Sequence, residues 1–156
     1  MNKILKLFLA ILICEFIGIL GSVFTIPAIA TWYLALNKPQ FSPPNYIFGP
    51  VWTTLYALMG ISIYLLLEKK LKKEKDKIIA LFSLQLFLNF LWSVIFFSFH
   101  LPLLAFLEIL FLWANILFLI IIFWKYSKPA SVLLIPYLLW VSFATILNAS
   151  IVILNK

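Results

Sequence analysis

Apolar residues run along this chain in five long stretches, about Ile4 to Ile26, Tyr46 to Leu67, Ile78 to Phe99, Leu103 to Trp124 and Val132 to Leu154. Runs such as Leu117 to Phe123 do not alternate apolar with polar, which argues against the short strands of a transmembrane barrel. At 1.5 Å per residue a 22-residue helix covers roughly 33 Å, enough for a hydrocarbon layer of about 30 Å. The pattern predicts one domain over residues 1–156: an all-α integral membrane protein, a bundle of five transmembrane helices at 4–26, 46–67, 78–99, 103–124 and 132–154. Prolines mark the breaks, with Pro27 after the first run, Pro39, Pro43 and Pro44 in the first connection, and Pro102 and Pro129 between later spans. Only the first connection, residues 27–45, is long. Its Trp32, Tyr33 and Phe41 sit among prolines, so it reads as a stiff amphipathic segment that lies at the membrane surface or folds down as a lid.

Composition agrees with lipid as the solvent: 65% of the residues are hydrophobic and 11% charged, where soluble domains carry about 25% charge. The net charge of +7 comes from 12 lysines against five acids. Six of those lysines fall between Lys69 and Lys77, interleaved with Glu74 and Asp76 and preceded by Glu68, and most others flank apolar runs. No basic face forms, so the charge speaks of topology and not of nucleic acid. With the N-terminus inside, ten lysines lie on the inner side and only Lys38 and Lys156 on the outer, the bias expected in a prokaryotic plasma membrane. Lys3, Lys6 and the Ala28-Ile29-Ala30 triplet give the first run some likeness to a signal peptide. Its length and its Glu15 point instead to a span that is kept. A single cysteine, Cys14, and a single histidine, His100, leave no disulfide framework, no Cys/His metal site and no ordinary nucleophile–base pair. No metal or cofactor is expected to be required.

The informative residues are those that hydrocarbon would not select. Gln85, Asn89 and Trp92 share a helical face, as do Glu108 and Asn115, Trp52 and Tyr56, and Trp140, Ala144 and Asn148. Each amide taken alone reads as interhelical glue. Together with the neighbouring tryptophans, the stripes read as the lining of a cavity for a flat, mostly apolar ligand with a few polar edges. Glu15 and Glu108 have no intramembrane cation to pair with; Glu108, near the start of its span, is expected to face interfacial water. Gly18 with Ser22, and Gly60, permit close helix packing within or between chains.

Four ordered motifs then carry a resemblance: W-Y-L-A-L-N-K-P-Q-F-S-P-P from Trp32, F-G-P-V-W-T-T-L-Y-A-L-M-G from Phe48, Q-L-F-L-N-F-L-W-S-V-I-F-F from Gln85, and L-I-P-Y-L-L-W-V-S-F-A-T-I-L-N from Leu134. Over nearly its whole length the chain resembles the TspO/MBR family of tryptophan-rich sensory proteins and mitochondrial translocator proteins, the peripheral benzodiazepine receptors. The resemblance implies a five-helix bundle, usually a homodimer in the bilayer, with a pocket beneath the first loop for porphyrins such as protoporphyrin IX, for cholesterol in animal members, or for other flat apolar ligands. Carried over by motif, the ligand-binding residues are Trp32, Tyr33 and Pro43 of the loop, Trp52, Asn89 and Trp92, and Trp140, Ala144 and Leu147. Phe41 stands where the loop usually has a tryptophan. The tail from Asn148 lacks the tyrosine of the animal sterol pattern, which favours a bacterial or archaeal type of member.

The functional expectation is a membrane sensor or translocator that binds a tetrapyrrole. A second class is light- and oxygen-dependent porphyrin breakdown, with Trp52 and Trp140 as electron donors to the excited ring. Passive carriage of lipophilic ligands ranks below both. Active transport ranks lowest, because neither inverted repeats nor broken helices are visible in the chain.

Overall fold

The computed structural model describes residues 2–156, the side chain of Lys72 excepted, and among them forms helices and no strand. Helix α1 spans Lys3–Ile29, α2 is a single turn at Trp32–Ala35, and α3 covers Asn45–Leu67. Helix α4 covers Lys75–Ser93 and widens into a π-helical turn at Val94–Ser98; α5 spans Pro102–Tyr126. The last span is divided between α6, Lys128–Val132, and α7, Ile135–Leu154. Five helical segments are therefore long and apolar enough to cross a membrane.

The differences from the sequence reading lie at prolines. Pro27 does not end the first helix; it sits inside α1, which continues to Ile29. A proline removes one backbone donor and crowds the preceding turn, and near a helix end only one ladder bond is at stake. Thr31 Oγ1 donates to the Pro27 carbonyl at 2.9 Å, capping that end. Pro129 likewise opens a helix, because a first-turn proline has no hydrogen bond to lose and Ser127 Oγ accepts from the Ala130 amide. The first connection is shorter than residues 27–45, with α2 folded into it.

The helices form a ring. Helix α1 packs between α3 and α4, α5 lies between α4 and α7, and α6 closes onto α3. Gly60 is buried against the α1 backbone at Ala10 and Ile11, and Gly18 lies against the Tyr56 ring. Small residues of α1 and α3 thus serve packing inside one chain. Side-chain hydrogen bonds tie the spans: Ser62 Oγ to the Ala130 carbonyl at 2.6 Å, Ser131 Oγ to the Ile120 carbonyl at 2.7 Å, and Trp113 Nε1 to Ser142 Oγ at 2.7 Å. The outer surface keeps Phe8, Phe111, Leu139 and Ile153 more than half exposed. Such a belt matches lipid and would be an aggregation surface in water.

Candidate functional site

Between α1, α3, α4 and α7 lies a partly open cavity of about 460 Å³, within the range of about 300–1,000 Å³ common to small-molecule sites. Its walls follow helical spacing. Glu15, Gly18, Ser22 and Thr25 come from α1, Phe48, Trp52 and Tyr56 from α3, Asn89, Trp92 and Phe96 from α4 and its π turn, and Trp140, Ala144, Leu147 and Asn148 from α7. From Glu15 to Ile29 the lining extends about 21 Å along α1 at 1.5 Å per residue. The chain alternates direction, so Glu15, Tyr56, Asn89 and Trp140 form the deep end and Ile29, Asn45, Phe97 and Ile151 the end beneath the loop.

The first connection lies at that outer end and turns one residue, Tyr33, into the bundle. Tyr33 is buried and lines the cavity. Burial pushes its phenol above the ordinary value, against a smaller opposite pull from Ser42, so it remains a neutral donor. Lys38 Nζ donates to the carbonyls of Tyr33 at 2.7 Å and Leu36 at 3.1 Å, and lies 4.8 Å from the Tyr33 ring centre. The loop is fastened to the end of α7: the Asn37 amide N–H donates to Asn155 Oδ1 at 2.9 Å, and Asn155 Nδ2 donates to the Asn37 carbonyl at 2.9 Å.

Of the residues singled out from the sequence, Tyr33, Trp52, Asn89, Trp92, Trp140, Ala144 and Leu147 all line the cavity; Trp32 and Pro43 do not. The Trp32 indole stacks on His100 at 4.4 Å between ring centres and meets Phe96 edge-on at 5.4 Å. It props the cavity wall from behind. His100 takes a left-handed backbone conformation, φ 55°, which is uncommon outside glycine, and the stack pins that turn in place.

The amides divide by depth. Tyr56 Oη donates to Asn89 Oδ1 at 2.6 Å, Asn89 Nδ2 to Tyr137 Oη at 2.9 Å, and Tyr137 Oη to Gln85 Oε1 at 2.9 Å. Trp92 Nε1 donates to Asn148 Oδ1 at 3.1 Å, and Asn148 Nδ2 to the Pro102 carbonyl at 2.8 Å. Asn89 and Asn148 are thus wall and glue at once. Gln85 and Asn115, expected among the lining, stand outside it. Glu108 is a correction as well: it is buried, and neither carboxyl oxygen has a partner among the described residues. Its turn of α5 faces the helical interior and not interfacial water.

Comparison with known proteins decides the ancestry. The TspO/MBR family matches residues 10–154. The chain belongs to the TspO/MBR family. It is 44% identical over 153 residues to the tryptophan-rich protein TspO of Archaeoglobus fulgidus, covering 98% of this chain and 99% of that one. It is 45% identical over 158 residues to the protein of the same name from Chlorobaculum tepidum, covering 99% of each. The human translocator protein is 37% identical over 120 residues, 75% of this chain and 70% of its own. As a TspO/MBR protein it is a multi-pass membrane protein of the sensor and translocator type. The α1 wall was missed in the sequence because its lining residues are small or aliphatic, apart from Glu15, and a glycine or serine stripe reads first as packing.

Proposed function

We propose that this protein binds a tetrapyrrole in the cavity beneath its first loop and acts as a membrane sensor or carrier of that ligand. The observation that carries the reading is the wall itself: Trp52, Trp92 and Trp140 with Phe48, Phe96 and Tyr33 line one cavity. Aromatic faces favour a planar ring, and the two engaged amides fix the walls without filling the lumen. The relatives' names, sensory and translocator, accord with a protein whose output follows occupancy. Closure of the loop over the ligand would exclude water from the site. The lysine distribution supports an N-terminus on the cytoplasmic side of a prokaryotic plasma membrane.

The test is titration of the detergent-purified protein with protoporphyrin IX in the dark, followed by tryptophan quenching. Saturable quenching that a Trp140→Ala change weakens is the expected result. Quenching that rises linearly without saturation, as from partition into micelles, overturns the reading. A second reading, photochemical breakdown, draws on the placement of both Trp52 and Trp140 in the wall. Trp52 also lies beside the Tyr56 ring, 5.6 Å between ring centres.

A further inference from the structure

The cavity carries one acidic side chain and no basic one: Glu15 lines its deep end, and no Lys or His stands in the wall among the described residues. Glu15 makes neither of the ion pairs of the described chain, which join Lys6 to Glu68 and Lys77 to Glu74. Its polar neighbours at that depth are already committed to each other, Tyr56 to Asn89 and Asn89 to Tyr137. The Glu15 carboxyl is therefore the acceptor that the deep end has to offer. At the opposite end, outside the cavity wall, the Lys38 ammonium lies over the Tyr33 ring and holds the loop carbonyls. The carboxyl thus stands at one end of a cavity whose wall runs about 21 Å along α1, and the Lys38 ammonium stands outside the wall beyond the other end.

We propose that Glu15 orients the ligand: it accepts a hydrogen bond from an N–H or ammonium group on the buried edge of a flat apolar molecule, and it turns ligand carboxylates towards the loop. This rests on the cavity being the ligand site. A ring system with its carboxylates on one edge, such as protoporphyrin IX, then enters with that edge towards Lys38 and its apolar edge towards Trp140. A carboxylate brought to the deep end would meet another acceptor in low dielectric, whereas an ammonium there gains a charge-assisted hydrogen bond.

Three probes of one shape separate the possibilities: 1-methylpyrene, 1-(aminomethyl)pyrene and pyrene-1-carboxylate, each read by energy transfer from tryptophan in nonionic micelles. The wild-type protein is expected to prefer the amine to the acid, and Glu15→Gln to reduce that amine-to-acid ratio by about tenfold or more. Partition into micelles is common to both proteins and cancels in the comparison. Methylpyrene, which offers Glu15 nothing, is expected to bind both alike, and that binding reports that the variant is folded. Equal wild-type affinity for amine and acid, or the same ratio in the variant, overturns the orienting role while leaving the pocket intact. Failure of both methylpyrene and protoporphyrin IX to saturate the wild-type protein overturns the ligand site beneath it.

Discussion

Gly60→Ala places a methyl group where the bundle has no room. A Cβ built on Gly60 meets Ile11 Cα at 2.5 Å, Ile11 N at 2.8 Å and the Ala10 carbonyl oxygen at 2.9 Å. All three are backbone atoms, so no side chain can turn aside. Restoring an ordinary contact of about 3.5 Å requires α1 to move about 1 Å away from α3, and a gap of that size forfeits a quarter to a half of each dispersion contact across the seam. The cost expected from overpacking is about 1–3 kcal/mol. Against it stands the gain in helix propensity of alanine over glycine, about 1 kcal/mol. Gly49→Ala, in the same helix, supplies the reference, because nothing lies within 4 Å of a Cβ there. Because Gly49 precedes Pro50, where alanine gains less than elsewhere in a helix, the difference between the two substitutions gives a lower bound on the clash. With about 2–4 °C per kcal/mol for a chain of this size, Gly60→Ala should melt several degrees below Gly49→Ala in matched detergent, followed by circular dichroism. If Gly60→Ala melts at or above Gly49→Ala, the seam is not a backbone contact and the placement of α1 is wrong.

Asn89→Leu removes both tyrosine bonds that join α3, α4 and α7; at about 0.6–1.7 kcal/mol for each intramembrane bond, it should destabilise by about 1–3 kcal/mol, and Tyr56→Phe by about half as much. Thermal melts that rank the two variants the other way would refute the bridge. Asn155→Ala unties the loop from α7 and should speed both entry and release of protoporphyrin IX in stopped-flow quenching, with release accelerated more; unchanged rates would show that the loop does not gate. The double change Trp52→Phe and Trp140→Phe should leave dark porphyrin binding within a few-fold of the wild type. Under illumination in air it should abolish protein-dependent loss of porphyrin absorbance if those indoles are the donors, and breakdown at the wild-type rate would sink the photochemical reading.

The five spans were legible because the bilayer imposes a coarse rule, about twenty apolar residues per crossing, and nothing in this chain's interior competes with it. The ends were not, and prolines account for most of the error. Pro27 in a last turn, Pro129 in a first turn and Pro50 within α3 are the same residue in three roles, separated only by which carbonyls the surroundings leave without a partner. The π turn at Val94–Ser98 had no sequence mark at all. It is followed by the left-handed His100, whose ring stacks on Trp32, 68 residues earlier.

Within the site, large amphipathic side chains on three helices could be read from spacing, since an indole or amide repeated on one face of a membrane helix has to be turned towards protein. Small residues carry no such direction. Gly60 faces the backbone of a neighbouring helix, Gly18 a tyrosine ring at the cavity floor, and Gly49 open space, and no local pattern distinguishes the three. Depth is equally silent: Gln85 and Asn89 share a face, yet the curvature of the ring puts one beside the lumen and the other behind Tyr137. Glu15 shows how far this matters. On composition it is an unpaired carboxylate near mid-span, an expense without a purpose. Beside Gly18, whose missing side chain admits the Tyr56 ring, and with the Tyr56 hydroxyl already donated to Asn89, it becomes the one strong acceptor in the deep wall, and that follows only from what α3 and α4 bring opposite it.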